Sequence, residues 1–286
     1  MVQRAPGLGM LSGSRLAVWG DPISHSRSPL LHAAAYEVLG VAWTYDRRRV
    51  DEAGFGAALS SLDSSWRGLS LTMPLKSAGF RAAVEVDARA RATGAVNTLL
   101  LDDRGPRGYN TDVGGIVAAL GEAGVGAVRS ARILGAGATA TSALVALSEM
   151  GIASVEIVAR RPDAANELVS RGTAMGMRVS ARPLDGPHGP VDVTVATLPG
   201  DAALSSAVVS SLADSGGAFM DVVYGTWPTP LSTAWSERGL TAVSGLPMLL
   251  HQALRQVRVF VGGAQDEPLH DEARVLAAMR RALVGE

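Results

Sequence analysis

The sequence predicts an α/β protein made of two successive α/β units. Apolar runs of strand length alternate with stretches of helical spacing from about residue 16 onward, and this order places helices against a sheet. At residues 131–134 an apolar run ends in a glycine turn, which leads into a helical stretch and a second apolar run at residues 155–159. Strand, glycine turn, helix and strand form the first half of a dinucleotide-binding fold. The glycine turn comes late in the chain, so we expect the nucleotide-binding unit to be the second one.

Turn residues bound the elements that we predict in each unit. In the first unit, strands are expected at residues 16–20, 43–46, 68–73 and 95–101, with a returning segment at 107–112. Its helices are expected at residues 30–39, 52–62 and 81–91, and a joining helix at 114–123. In the second unit, the helix after the glycine turn ends at Gly151, and further strands are expected at residues 177–180, 191–197, 218–224 and 240–243. Its later helices are expected at residues 163–172, 247–261 and 269–283.

Composition limits the class of protein. The 286 residues are 47% hydrophobic and 19% charged, which is enough to build a core in one large domain or two medium ones. The net charge of -1 gives no electrostatic reason to bind nucleic acid or a membrane surface. The absence of cysteine excludes disulfides and thiolate chemistry, and the five histidines lack metal-site spacing, so we expect no metal. Without a membrane span or signal peptide in the sequence, we expect a cytoplasmic protein with a loose lead-in at residues 1–14.

The glycine turn itself indicates how a nucleotide could bind. Gly135 permits the tight turn, Gly137 lets the backbone approach a pyrophosphate, and Ala140 is small enough for helix–strand packing. The amides that open the following helix then face the anion. The chain has 33 glycines, so a strand–helix turn without a ligand remains an alternative.

The end of the next strand indicates which nucleotide it is. NAD-binding folds often carry an acidic residue there for the ribose hydroxyls, but this chain has Arg160 and Arg161. Guanidinium groups donate in pairs to phosphate oxygens, so the pair suits a 2′-phosphate. We therefore expect NADP rather than NAD, with a solvated arginine pair as the alternative.

Six short segments, in order, resemble the sequence signatures of the shikimate dehydrogenase family. They are residues 20–29 (GDPISHSRSP), 71–76 (LTMPLK), 94–98 (GAVNT), 109–112 (YNTD), 221–224 (DVVY) and 245–249 (GLPML) with Gln252. Each segment alone is a weak signal. Their order and spacing match the family from about residue 16 to the end of the chain.

This resemblance implies a domain organisation and a reaction. Residues 1–112, with C-terminal helices at 248–286 folding back onto them, would form the substrate domain, and residues 113–247 a Rossmann-like NADP domain. The implied reaction is the reversible NADPH-dependent reduction of 3-dehydroshikimate to shikimate in chorismate and aromatic amino-acid biosynthesis. The implied partners are this small-molecule substrate and NADP, in a monomer or homodimer.

The resemblance also implies catalytic residues. Reduction of a ketone needs a hydride and a proton for the developing alkoxide, and Lys76, just past a predicted strand end and after Pro74, is the candidate proton donor. Asp112 would orient the ammonium group and bind a substrate hydroxyl. Without the family match, Lys76 would be interpreted as a solvated lysine. His25 is interpreted as a local hydrogen-bonding residue and not as a base.

Polar side chains in the matching segments would bind the substrate, a polyol carboxylate. Ser26 and Ser28 can donate to the carboxylate, although Ser28 could instead cap the helix after Pro29. The side chains that would bind the hydroxyls and the carboxylate are Thr72, Asn97, Asp112, Tyr224 and Gln252.

The implied cofactor residues surround the glycine turn and the strand ends of the second unit. They are Gly135, Ala136, Gly137, Ala138, Thr139, Ala140, Arg160, Arg161, Thr197, Val222, Gly245 and Met248. The chain differs from the usual family residues at Ala138, Thr141 and Val195, and we expect Arg161 to take the place of an arginine that the family often has near residue 164.

Two other functions remain open at this point. One is an enzyme of the same fold that acts on quinate or on an aminated relative of shikimate. The other is a nucleotide-sensing regulator without turnover, although Lys76 and Asp112 speak against it. We expect shikimate to be oxidised better than quinate.

Overall fold

The computed structural model describes residues 14–215 and 217–285, and it confirms the α/β class. The predicted lead-in lies outside these residues except for Ser14. Two compact units divide the chain. The first consists of Met1–Thr111 with Ala253–Glu286, and the second of Asp112–Gln252. No helix in the described part of the chain combines the length and apolar character that a membrane span requires.

The first unit contains a six-stranded mixed sheet. Its elements in chain order are β1 (Arg15–Gly20), α1 (Ser28–Leu39), β2 (Thr44–Arg49), α2 (Phe55–Ser60), β3 (Trp66–Leu71), α3 (Lys76–Ala82), β4 (Glu85–Val86), α4 (Ala88–Thr93), β5 (Thr98–Asp102) and β6 (Gly105–Tyr109). The strand order is β2-β1-β3-β5-β6-β4. Strand β1 is parallel to both β2 and β3, whereas β5 is antiparallel to β3 and β6. Because β1 and β3 are parallel, the loops that follow them leave the same edge of the sheet.

The second unit contains a six-stranded parallel sheet. Its elements are α5 (Asp112–Glu122), β7 (Ser130–Leu134), α6 (Ala138–Glu149), β8 (Ser154–Val158), α7 (Pro162–Ala174), β9 (Arg178–Arg182), β10 (Val193–Ala196), α8 (Ser206–Asp214), β11 (Ala218–Asp221), α9 (Pro230–Glu237) and β12 (Ala242–Val243). The strand order β12-β11-β10-β7-β8-β9 reverses direction between β7 and β10. Ligands of open α/β sheets bind at such a reversal, and the glycine turn follows β7 directly. The predicted Rossmann-like fold is thereby confirmed.

Two helices complete the fold. Helix α10 (Gly245–Gly262) passes from the second unit into the first, and α11 (Glu272–Val284) belongs to the first unit. In the first unit Phe260 of α10 packs so closely on β3 that a Cβ at Gly68 would lie 2.5 Å from its ring. Arg27 donates to the Leu283 carbonyl at 3.2 Å, which ties α11 to the start of α1. The predicted return of the C-terminal helices to the first domain is confirmed.

The single helix predicted at residues 81–91 is wrong. Helices α3 and α4 occupy this region, with the short strand β4 between them. Val84 N donates to the Pro106 carbonyl at 2.8 Å, so the segment pairs with β6. Asp87 then begins a new helix, because its carboxylate accepts from Ala90 N at 2.7 Å as an N-cap.

Two helices of the second unit were not predicted. Helix α8 begins after Ser205, whose side chain accepts from Val208 N. Helix α9 begins with a capping box between Thr229 and Ser232. Both starts carry local capping signals that the sequence displays, whereas the apolar spacing alone does not reveal the helices.

Candidate active site

The loops after β1 and β3 are held against each other at Gly20. A Cβ at this position would lie 2.4 Å from Thr72 Cγ2 and 2.8 Å from the Met73 carbonyl oxygen, so only glycine fits. Asp21 N donates to the Met73 carbonyl at 2.9 Å. The loop that carries the two predicted serines is therefore fixed beside the segment that leads from Thr72 to the predicted catalytic lysine.

Ser26 and Ser28 are both buried in this first loop. Ser28 is the first residue of α1, whose N-cap is Arg27 without a side-chain hydrogen bond. The alternative in which Ser28 caps the helix is therefore wrong. Ser26 Oγ instead accepts the Ser28 N–H at 3.3 Å.

Lys76 is the half-buried first residue of α3. Its carbonyl accepts from Val96 N at 3.0 Å, which places its backbone beside the segment that contains Asn97. A cation in the first turn of a helix gains nothing from the helix dipole, so helix stability does not explain this position. The sequence also contains no other lysine, since the remaining residues among its 26 Lys and Arg are arginines.

Asn97 lies in the turn before β5, where its amide is oriented by neighbouring groups. Its Oδ1 accepts from Thr111 N at 2.9 Å and from Thr98 Oγ1 at 2.8 Å, and its Nδ2 donates to Thr111 Oγ1 at 2.9 Å. Asn110 is buried beside it, with Nδ2 donating to Thr93 Oγ1 at 2.9 Å. Thr111 and Asn110 were not predicted as site residues. The repeated Asn-Thr pairs at 97–98 and 110–111 could have indicated them.

The second unit contains the other predicted substrate residues. Asp112 follows Thr111 in the chain, begins α5 and is buried. One turn later, a Cβ at Gly115 would lie 2.9 Å from Gln252 Cβ and 3.0 Å from the Met248 carbonyl oxygen. Helices α5 and α10 therefore cross in close contact at Gly115. Residues three apart share a helix face, so Asp112 and Gln252 belong to the same crossing.

The glycine turn after β7 has the geometry of a phosphate-binding loop. Gly135 has φ +109, and a Cβ there would lie 2.7 Å from Thr197 Oγ1, which donates to the Leu134 carbonyl at 2.8 Å. Ala140 is fully buried. Gly137 caps α6 without a side chain, and a Cβ on it would meet no atom within 4 Å. The space beside Gly137 is thus open, and the first amides of a helix have no acceptor within the helix, so this turn suits an anion.

Arg160 and Arg161 lie exposed directly after β8. Neither guanidinium forms a hydrogen bond or an ion pair with another residue of the ranges 14–215 and 217–285. Arg161 is also the N-cap of α7. Both cations can therefore contact an anion without first giving up a protein partner.

Val222 and Gly245 are in direct contact in the second unit. A Cβ at Gly245 would lie 2.3 Å from the Val222 carbonyl oxygen. The preceding Asp221 was not predicted as a site residue, but its buried carboxylate accepts from Val223 N at 3.0 Å and from Thr229 Oγ1 at 3.1 Å. Burial raises the pKa of Asp221. This carboxylate fixes the turn that bears Val222 and the half-buried Tyr224.

The remaining predicted cofactor residues lie near these features. Ala136 and Thr139 are half-buried in the glycine turn and Ala138 is exposed there, while Thr197 contacts Gly135. No group of three histidine, aspartate or glutamate side chains in the described ranges is arranged to hold a metal ion.

Comparison with known proteins gives the family to which these residues correspond. A family model described as the shikimate dehydrogenase substrate binding domain matches residues 18–99. A Bordetella avium protein named shikimate dehydrogenase (NADP(+)) is 36% identical over 282 residues, which are 95% of this chain and 97% of that protein. A Rubrobacter xylanophilus protein of the same name is also 36% identical, over 96% of both chains.

Solved structures are similar over the same length. Mycobacterium tuberculosis shikimate dehydrogenase has 37% identity and a TM-score of 0.82, over 96% of this chain and all of that one (100%). Thermus thermophilus shikimate 5-dehydrogenase, solved in complex with NADP(H) and shikimate, has 31% identity and a TM-score of 0.78, over 94% of this chain and 99% of that one. The similarity therefore runs through both units.

A buried histidine in the first unit makes stability depend on pH. Burial lowers the pKa of His32 from 6.5 to about 3. The unfolded chain then binds more protons than the folded protein between these values, so this stabilisation is complete above pH 6.5 and is lost as the pH falls towards 3. Between these pH values the free energy of unfolding should therefore fall by up to about 1.4 kcal/mol for each unit that the pH falls, and removing His32 should abolish this dependence.

Urea unfolding between pH 4.5 and pH 7.5 of the parent and of His32→Gln tests this dependence, with His270→Gln as the control at an exposed histidine. The difference in unfolding free energy between parent and His32→Gln should narrow as the pH falls, whereas the control difference should stay constant. A constant difference for His32→Gln would contradict the expected proton linkage.

Proposed function

The chain belongs to the shikimate dehydrogenase family, and we propose that it catalyses the reversible NADPH-dependent reduction of 3-dehydroshikimate to shikimate. The observation that supports this proposal is that backbone hydrogen bonds join the segments bearing Ser26, Thr72, Lys76 and Asn97 beside the carboxyl ends of β1 and β3. Relatives that match the chain from end to end carry the corresponding name. These names support a shikimate dehydrogenase, an oxidoreductase acting on a CH–OH group, rather than a quinate enzyme or a regulator without turnover.

The first unit supplies groups that suit a polyol carboxylate. The hydroxyls of Ser26 and Thr72 can donate to the carboxylate or to ring hydroxyls, the Ser28 oxygen can accept from a ring hydroxyl, and the Asn97 amide binds a hydroxyl. A site of buried polar groups rejects analogues that lack the matching hydroxyl, because its own groups would then remain unpaired. Tyr224, Asp112 and Gln252 complete the proposed substrate set.

The second unit supplies groups that fit NADP. The open amides at the start of α6 would hold the pyrophosphate, and Gly137 lets it approach the backbone. Arg160 and Arg161 would bind the 2′-phosphate. NADPH supplies the hydride when it is bound. The domain assignment, 1–112 with 248–286 for the substrate and 113–247 for NADP, belongs to this proposal.

Lys76 is proposed to move the proton. During reduction its ammonium donates a proton to the developing alkoxide oxygen of the substrate, and during oxidation its amine takes that proton back. Asp112 is proposed to orient the ammonium and to accept a hydrogen bond from a substrate hydroxyl. An arginine could supply the charge but not the proton, since a guanidinium does not deprotonate in proteins.

We also propose that the enzyme works in the cytoplasm as a monomer or homodimer.

Lys76→Ala should abolish turnover while shikimate still binds. Loss of a positioned acid–base group costs about 10²–10⁴ in rate, whereas affinity should change only modestly, because other side chains bind the substrate. Turnover is followed by cofactor absorbance, and affinity is measured by calorimetry on the same folded variant.

Lys76→Arg is the matched control, because it retains the charge without a transferable proton. It should be nearly as slow as Lys76→Ala. Turnover close to that of the parent in either variant would remove Lys76 from proton transfer, while recovery in Lys76→Arg alone would limit its role to charge.

Arg160→Ala and Arg161→Ala should each weaken the binding of NADP but not the binding of NAD. One charge-assisted hydrogen bond contributes about 1.5–3 kcal/mol, so the NADP Michaelis constant should rise roughly tenfold to a hundredfold. Arg178→Ala is the control, since this exposed arginine lies at the opposite, amino end of β9. An equal rise for NAD and NADP, or a comparable rise in the control, would overturn the assignment of these arginines to the 2′-phosphate.

A further inference from the structure

A continuous line of buried hydrogen bonds crosses the first unit from one predicted substrate residue to another. We call it the Ser28–Asn97 line. Its members, in order, are Ser28, Tyr45, Ser70, Gln256, Thr98 and Asn97.

Distances define the four steps from Tyr45 to Asn97. Tyr45 Oη donates to Ser70 Oγ at 2.6 Å, and Ser70 Oγ donates to Gln256 Oε1 at 2.9 Å. Gln256 Nε2 donates to Thr98 Oγ1 at 3.1 Å, and Thr98 Oγ1 donates to Asn97 Oδ1 at 2.8 Å. At the other end of the line Tyr45 Oη bonds the Ser28 hydroxyl, and it accepts from Ser28 because its own proton goes to Ser70.

One backbone carbonyl sets the direction of these bonds. Gln256 Nε2 lies 3.2 Å from the Asn97 carbonyl oxygen, which can only accept, so the amide nitrogen must face Asn97. Gln256 Oε1 then faces Ser70 and also His32 Nε2, at 3.2 Å. Ser70 must therefore donate to Gln256 and accept from Tyr45, because a hydroxyl carries a single proton.

His32 forms a branch outside the line. Its Nε2 carries the proton that it donates to Gln256, and its Nδ1 accepts from Tyr36 Oη at 3.0 Å. Within the described residues, hydrogen bonds connect Tyr36 to the line through His32. Its hydroxyl is buried like those of the line, but it does not lie between Ser28 and Asn97.

The hydrogen bonds at Asn97 show how the line orients the amide of this residue. Two donors, Thr98 Oγ1 and Thr111 N, occupy Asn97 Oδ1, so the amide is held with its oxygen towards the protein. Any ligand hydroxyl at Asn97 therefore meets the Nδ2 side of the amide. Gln256 donates to Thr98 Oγ1 and so turns the Thr98 proton towards Asn97. Without the Thr98 donor, Asn97 Oδ1 would keep the bond from Thr111 N, and the amide would be less firmly oriented.

We propose that Ser70, Gln256 and Thr98 are positioning residues, which hold the Ser28 oxygen and the Asn97 amide in the orientation that recognises hydroxyl groups of the substrate. These three side chains are buried, at 3%, 2% and 0% exposure. The cost of burying these polar groups offsets most of what their hydrogen bonds contribute. Apolar side chains of the same shape would therefore make the core about as stable. Their effect on the site is to set the ground-state binding of the substrate.

The proposal rests on the proposed function, and three conservative variants test it. Ser70→Ala and Thr98→Val each interrupt the line, whereas Tyr36→Phe removes a buried hydroxyl from the branch. All three should lower the melting temperature. Only the two interruptions should raise the shikimate Michaelis constant, by about three- to tenfold, the equivalent of one lost neutral hydrogen bond, with kcat changing less than about twofold because Lys76 is untouched.

The result separates the two proposals. A parent protein that does not oxidise shikimate would refute the proposed function. With an active parent, unchanged Michaelis constants in Ser70→Ala and Thr98→Val, or an equal rise in Tyr36→Phe, would overturn the positioning role. A rise confined to the two interruptions, in folded proteins with near-parental kcat, would support it.

Discussion

Two hydrogen bonds to the backbone carbonyl of Asn97 hold the elements of the first unit around its candidate site. It accepts from Leu71 N at 2.7 Å and from Gln256 Nε2 at 3.2 Å. The first bond joins the end of β3 to the turn before β5, and the second joins that turn to α10. Helix α10 is therefore tied to the turn that carries the candidate substrate residue Asn97.

From this point the arrangement of the site follows from strand direction. Strands β1 and β3 are parallel, so their loops leave one edge of the sheet, and Gly20 allows those loops to touch. In the second unit, parallel pairing places the glycine turn at the reversal between β7 and β10. Each unit therefore presents groups of its candidate site at the ends of its strands.

Local sequence patterns predicted most of the fold because most elements have local causes. The glycine turn, the strand ends and the C-terminal helices could be predicted from spacing and caps. The error at residues 81–91 has a non-local cause, since Val84 pairs with the carbonyl of Pro106. The Ser28–Asn97 line could not be predicted either, because it joins side chains from segments far apart in the sequence. The lone lysine, by contrast, was a signal in the sequence: in a chain that otherwise uses arginine, position 76 carries the one long basic side chain that can release a proton.

The most direct test of the central claim is the initial rate of the unmodified protein with shikimate and with quinate, each in the presence of NADP and of NAD. The proposed function predicts rapid oxidation of shikimate with NADP and a much lower specificity constant for each of the other three combinations. Equal specificity constants for the two acids or for the two cofactors, or no turnover in any combination, would contradict it.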